Sequence, residues 1–466
     1  MKTKLTMIPI AIGMLIACSF CFEAQEWNWS EDKLSNAREG LSATAMDDSI
    51  FFSGGRLYNF SYKNTVDVYD IGEDVWSTVD LESQNRFYTT SVSCNGKVFI
   101  AGGINLSPYT PCVDVDIYDK ATEEWTIEEL SQGRHFIGAV ANGNKVYFAG
   151  GLHYNGSFIY YDVIDIYNTE TEAWSTMFLT EPKAGLGAAT AGGKLFFAGG
   201  AGSPITFTAL VEIYDINTGD WTYTDLSEAR AFPATVAYGN KVYFAGGMLP
   251  NNYSSDVVDI YNVDTEEWEL PQSLSSPRIA RALKVKDALV FAGETDYISS
   301  SGIYGAPNGT IDIYYPELDL WDFTQPDLSP ARIMYGCAAY DDKAYFGGGY
   351  PGGGSLTDDV SILEYEPDTS TIISKNKFHD LRILVYPNPF SSSIRVIYNL
   401  KQSGKVNIAI YNNIGEKVQV LANEYRQQGK QEEIFDTEKL KPGIYLCVLK
   451  TNDPACAGQT RKIIKL

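Results

Sequence analysis

The residues with the strongest claim to chemistry are seven cations at one recurring position: Arg38, Arg86, Arg134, Lys183, Arg230, Arg278 and Arg332. Each opens a short apolar segment, and they recur at intervals near 48 residues. Side chains repeating at such a period stand on equivalent points of equivalent structural units, so a closed array of units would set them on one ring. Guanidinium and ammonium groups circling a funnel of low dielectric would concentrate an anion, and Arg offers the fork that carboxylates and phosphates fit. The ring is therefore the first candidate binding site.

Groups suited to acid–base work are few. His135 follows one ring cation, His153 and Tyr154 lie in a loop beyond it, Glu294 and Tyr297 lie in a corresponding later loop, and no other histidine occurs in the repeats. No Gly-x-Ser-x-Gly elbow, phosphate loop or His-x-x-x-His pair occurs, so no catalytic residue is assigned. Cysteines are sparse and lack metal-type spacing, so neither metal nor cofactor is expected. Cys447 and Cys456 admit one bridge, against buried free thiols as the alternative.

The elements that must position the cations are legible as a repeat. Hydrophobic strands run into glycine at Gly54-Gly55, Gly102-Gly103, Gly150-Gly151, Gly199-Gly200, Gly246-Gly247, Gly293 and Gly348-Gly349. Each unit reads as four strands, with Asn95-Gly96 and Gly239-Asn240 marking tight hairpins between the first two. Trp76, Trp125, Trp174, Trp221, Trp268 and Trp321 follow the glycines, whereas the seventh unit has none and Trp27 or Trp29 is left over at the start. The N-terminal segment is thus expected to supply the fourth strand of the last unit, closing the array without an exposed edge.

Double glycine, an acidic-aliphatic-Tyr strand such as Ile164-Asp165-Ile166-Tyr167, and then Trp is a pattern that resembles the kelch repeat over roughly residues 27–366. The resemblance implies an all-β, seven-bladed kelch-type β-propeller. It also supplies the structural reading of the cations, which in kelch strands pack blades by pairing with acids of the neighbouring blade. In kelch propellers that recognise acidic peptides, arginines here contact ligand carboxylates. A sialic-acid mutarotase is another kelch-type possibility, in which His135, His153 or Glu294 would act on an acidic sugar. The copper site of galactose oxidase-type propellers has no matching constellation.

The ends of the chain carry addresses. Met1-Lys2-Thr3-Lys4 and the apolar run Leu5 to Phe22 read as a secretory signal over residues 1–24, cut after Ala24, with lipidation at Cys18 as the competing reading. Residues 1–379 carry 23 Lys+Arg against 51 Asp+Glu, a charge of -28, whereas 380–466 carry 13 against 8, or +5, and the two sum to -23. This change of sign marks a boundary, drawn as a propeller over 25–366, a linker over 367–380 and a second domain over 381–466. The acidic body repels nucleic acid, and no segment reads as a transmembrane span.

Tyr386-Pro387-Asn388-Pro389-Phe390, Leu440-Lys441-Pro442-Gly443-Ile444-Tyr445-Leu446 and the ending Lys462-Ile463-Ile464-Lys465-Leu466 resemble the type A sorting domain of Bacteroidetes type IX secretion. Its hairpins read as a small Ig-like β-sandwich. The resemblance implies the type IX machinery and its sortase-like protease as partners, and a secreted or cell-surface protein. The combined expectation is a surface recognition module for an anionic glycan or acidic protein segment, contacted by the seven cations, His135, His153, Tyr154 and Tyr297. An enzyme on an acidic sugar is the alternative.

Overall fold

A computed structural model describes residues 26–366, apart from 59–60, 62–63, 107–108, 204–205 and 296–304. It also describes 384–465, apart from 387–389, 391, 401, 413–415 and 452–458. The signal segment, Tyr297 and Cys456 lie outside the described residues, and with Cys456 the bridge to Cys447, which is itself buried.

The first part consists of antiparallel sheets built on one plan. The third sheet runs Gly138–Asn142, Lys145–Ala149, Val163–Asn168, Ala173–Phe178, each strand paired with the next. Its second strand is sandwiched between neighbouring sheets, which is why it reads as an unbroken apolar run instead of alternating. Val146, Tyr147, Phe148 and Ala149 are all 2% exposed or less. The turn at Asn95-Gly96, with φ of 49° and 74°, has the two left-handed residues that a tight hairpin needs.

In the last sheet the order is Glu26–Lys33, Asp359–Glu366, Lys343–Gly347, Gly336–Tyr340. The N-terminal strand therefore fills the outermost place, antiparallel to Asp359–Glu366, with Trp27 opposite Tyr365. The same Tyr–Trp register recurs at Tyr69–Trp76, Tyr118–Trp125, Tyr167–Trp174, Tyr214–Trp221, Tyr261–Trp268 and Tyr314–Trp321. Trp27, not Trp29, is thus the seventh equivalent indole, and its Nε1–H donates to Tyr315 Oη of the preceding sheet at 2.8 Å. First strands of successive sheets pack side by side, and Gly336–Tyr340 packs on Ser42–Met46, so the array meets itself as a β-propeller.

Residues 384–465 form two antiparallel sheets, one of three strands and one of four. They share a core of Phe390, Ile394, Val396, Tyr398, Val406, Ile408, Cys447 and Leu449.

Candidate functional site

The seven cations do not line a channel mouth. Arg38, Arg86, Arg134, Lys183, Arg230, Arg278 and Arg332 are 1% exposed or less. Arg38 meets Asp67 at 2.5 Å, Arg86 meets Asp116 at 2.5 Å, Arg134 meets Asp165 at 2.9 Å and Lys183 meets Glu212 at 2.9 Å. Arg230 meets Asp259 at 2.7 Å and Arg278 meets Asp312 at 2.5 Å. Arg332 has a serine instead, Ser361 Oγ at 3.0 Å, and burial lowers its pKa to about 10. Every partner lies on the third strand of the same sheet, so the expected pairing with a neighbouring unit is also corrected. A charge withdrawn from water needs a partner close by, and the nearest acid is the one its own strand order provides.

These pairs organise the crossovers between sheets. In five of the seven units the acid that holds the cation also accepts a backbone N–H from the preceding loop: Ser35 to Asp67, Ser131 to Asp165, Thr180 to Glu212, Ser227 to Asp259 and Ser275 to Asp312. The cation's own carbonyl then receives the second glycine of the preceding sheet. Gly55 N–H donates to Arg86 O, Gly103 to Arg134 O, Gly151 to Lys183 O, Gly200 to Arg230 O and Gly247 to Arg278 O, all at 2.9 to 3.0 Å. Gly349 donates to Arg38 O at 2.7 Å and closes the circuit. At Gly150 a Cβ would stand 2.4 Å from Lys183 O, and φ is +60°, so this close approach admits only glycine. Glycine, cation and acid thus form one joint.

Each joint brings the crossover and the glycine loop to the same end of the sheets, as antiparallel order requires. The pairs Glu39–Arg56, Phe87–Ile104, His135–Leu152, Ala184–Ala201, Ala231–Met248, Ile279–Thr295 and Ile333–Tyr350 mark this loop face. Two residues after the cation, Gly40, Tyr88, Phe136, Gly185, Phe232 and Met334 all have positive φ, between 55° and 68°. Their backbones are linked, Gly40 N–H to Met334 O, Tyr88 to Gly40 O, Gly185 to Phe136 O and Phe232 to Gly185 O. Their side chains meet across the centre: Tyr88 and Phe136 ring centroids are 4.9 Å apart, Phe136 and Phe232 5.3 Å, and Tyr88 Oη lies 3.4 Å from Met334 Sδ. Aromatic rings rather than cations therefore occupy the centre of the face.

The sixth sheet departs from this plan. Glu294 stands where the other sheets have the second glycine, and its Oε1 accepts from Met334 N–H at 2.9 Å and Arg281 Nη2 at 3.0 Å. Arg281, on the innermost strand Ile279–Val285, keeps 45% of its side chain exposed. Sequence reasoning missed it, although the break in the double-glycine pattern at Gly293-Glu294 was its signal.

The proposed acid–base groups are scattered in environment. His135 is 4% exposed, with its ring 4.7 Å from Phe136, and burial, aided by the charge of His153, pulls its pKa down to about 4. His153 is half-buried, its Nδ1 2.7 Å from Tyr161 Oη, and Glu294 is engaged as above. Tyr154, by contrast, is exposed. It sits on the hairpin Leu152–Tyr154 / Phe158–Tyr160, with Phe158 and Ile159 exposed beside it, and Tyr58 and Tyr253 stand exposed on other loops of this face. Among the described residues no group of three or more His, Cys, Asp or Glu is arranged to hold a metal ion.

Family models match the chain in three segments. The Kelch motif matches residues 85–128 and 229–275, and the Secretion system C-terminal sorting domain matches residues 384–465. Each kelch match begins beside a joint cation, Arg86 or Arg230, and runs past the tryptophan that ends the same sheet. No curated protein matches the chain. No helix among the described residues is long and apolar enough to cross a membrane. The chain carries kelch motifs in an array of sheets that fits a β-propeller, and a type IX sorting domain, which engages the secretion machinery and leads to secretion or cell-surface display on a Bacteroidetes-type bacterium.

Proposed function

We propose that the chain is a seven-bladed propeller over residues 25–366, joined through 367–380 to an Ig-like sorting domain over 381–466, and that it works outside the cell as a recognition module. The ligand, a glycan or a protein segment, binds across the loop face. The observation that carries this reading is the group of large side chains left in water there: Tyr58 at 71%, Tyr154 at 41%, Phe158 at 49% and Tyr253 at 63% exposure. Rigid aromatic rings on loops held by a stiff scaffold give contact area at little entropic cost.

The anionic part of the expected ligand loses its support with the ring, because the seven cations are spent on the joints. The exposed charge on the crossovers is instead acidic, as at Glu82 and Asp327. A neutral or cationic ligand suits this surface better. Removal of the tail by the sortase-like protease is part of the same proposal.

The test is a glycan and protein-segment array probed with the full chain and with Tyr154→Ser/Phe158→Ser and Tyr253→Ser variants. Signals reduced at least tenfold in the variants support the reading. Signals unchanged in both variants overturn it.

A further inference from the structure

The fourth and fifth blades place the same groups at the same points and finish differently. In the fifth, Glu228 precedes Arg230 by two residues, and its Oε1 lies 3.3 Å from Arg230 Nη1 and also accepts from Ser255 Oγ. In the fourth, Glu181 precedes Lys183 by two residues, and Thr208 stands where Ser255 does: each donates its N–H to the second glycine's carbonyl, Gly200 or Gly247. Each hydroxyl oxygen also accepts the N–H two residues on, from Leu210 at 3.2 Å and Val257 at 3.0 Å. Lys183, however, lies 2.9 Å from Glu212 but makes no hydrogen bond to Glu181, whereas the Arg230 fork reaches back to Glu228, and Lys183 Nζ is itself buried without a hydrogen-bond partner among the described residues. Glu181 Oε1 is buried with no hydrogen-bond partner among the described residues.

Beside that oxygen lies a cavity of about 310 Å³, lined by Glu181, Gly202, Ser203, Thr206, Phe207 and Thr208 among others. The short hairpin Ala201–Gly202 / Thr206–Phe207 forms one wall and the crossover Glu181-Pro182-Lys183 the other. Gly202 lets the walls approach, since a Cβ there would stand 3.0 Å from Pro182 O. Its volume falls at the small end of the roughly 300–1,000 Å³ range of small-molecule sites.

From this geometry we infer that the fourth-blade cavity is a saccharide subsite for a neutral or amino sugar, resting on the reading of the loop face as the recognition face. A buried carboxylate oxygen calls for a donor, and sugar hydroxyls or an amine supply one. The Thr208 hydroxyl, whose oxygen already accepts, has its proton to give to a ring or hydroxyl oxygen, and Ser203 and Thr206 add further hydroxyls. Phe207 offers an apolar wall to the C–H face of a pyranose. Acidic sugars are selected against by Glu181 itself.

The experiment is ligand-observed NMR and calorimetry of the full secreted chain with methyl glucoside, methyl galactoside, methyl mannoside, N-acetylglucosamine, glucosamine and glucuronate. At least one neutral or amino sugar is expected to bind, at least tenfold weaker in Glu181→Gln and Phe207→Ala. Lys183→Arg, which gives Glu181 the fork that Glu228 has, should close the site, with the melting temperature unchanged or higher. No saccharide binding, preferred glucuronate, or affinity unchanged from the unsubstituted chain in Glu181→Gln or in Lys183→Arg would overturn the inference. So would calcium binding that depends on Glu181, which would make the cavity a cation site. If array signals fall in Tyr154→Ser/Phe158→Ser but not in Glu181→Gln, the subsite fails while the loop-face reading stands; if no loop-face variant matters, both fail.

Discussion

The fourth and fifth blades differ at the joint in both cation and acid, Lys183 with Glu212 against Arg230 with Asp259, and the fourth has an open polar cavity where the fifth has a closed structural network. Arg230 reaches Asp259 and Glu228 at once and also donates to Phe244 O at 2.9 Å. Lys183 reaches Glu212 alone among the carboxylates. What repeats around the ring is consumed in holding it together. Groups available to a ligand arise where the repeat is broken, at Lys183, at Glu294 with Arg281, and in the loops that carry Tyr154 and Tyr253.

The comparison breaks most violently at Arg230→Ala, which leaves Asp259 buried without its partner. A loss of about 3–5 kcal/mol is expected for an uncompensated buried charge, read by chemical denaturation. A loss below about 1 kcal/mol would mean that the joint is not structural.

Acid should act next. His135 folds in its neutral form, its value of about 4 lying below the ordinary 6.5, so the unfolded chain binds the proton more readily. Its contribution is complete above pH 6.5 and is lost as pH falls towards 4, amounting to about 3 kcal/mol at most. His135→Phe should flatten the stability profile across that window, and an unaltered profile would remove His135 as its cause.

Gly150→Ala should cost about 2 kcal/mol, from the left-handed backbone alone, with the clash against Lys183 O adding to it. Thermal melts would show this as a lowered midpoint. The smallest effect sharpens the comparison directly: Arg230→Lys should cost about 1–2 kcal/mol by releasing Glu228, whereas Lys183→Arg should cost nothing. Equal costs in the two directions would contradict the account.

Much of the architecture was legible because it repeats. Double glycine, the acidic third strand and Trp fixed four-stranded units, and a missing seventh Trp pointed to the N-terminal strand that pairs with Asp359–Glu366. The site was read less well. A cation at a repeated position looks the same in sequence whether it faces water or an acid two strands away, and only the strand order brings Asp165 to Arg134. Recurrence at seven equivalent points is itself the mark of a structural position, and it applied to the cations. Tyr88, Phe136 and Phe232 escaped notice because nothing in their residue type signals positive φ. Glu181 escaped because its burial depends on a two-stranded hairpin too short to carry a periodic pattern.

The most direct test of the central claim, that the repeated cations belong to the joints and not to a ligand surface, uses the one lysine among them. Brief acylation of the native full chain with an amine-reactive ester, followed by peptide mass spectrometry, reads its accessibility without any substitution. Lys183, 1% exposed, should stay unmodified while Lys33 and Lys120, at 63% and 49%, react. Modification of Lys183 at a rate comparable to theirs would place the cation ring in water and contradict the account.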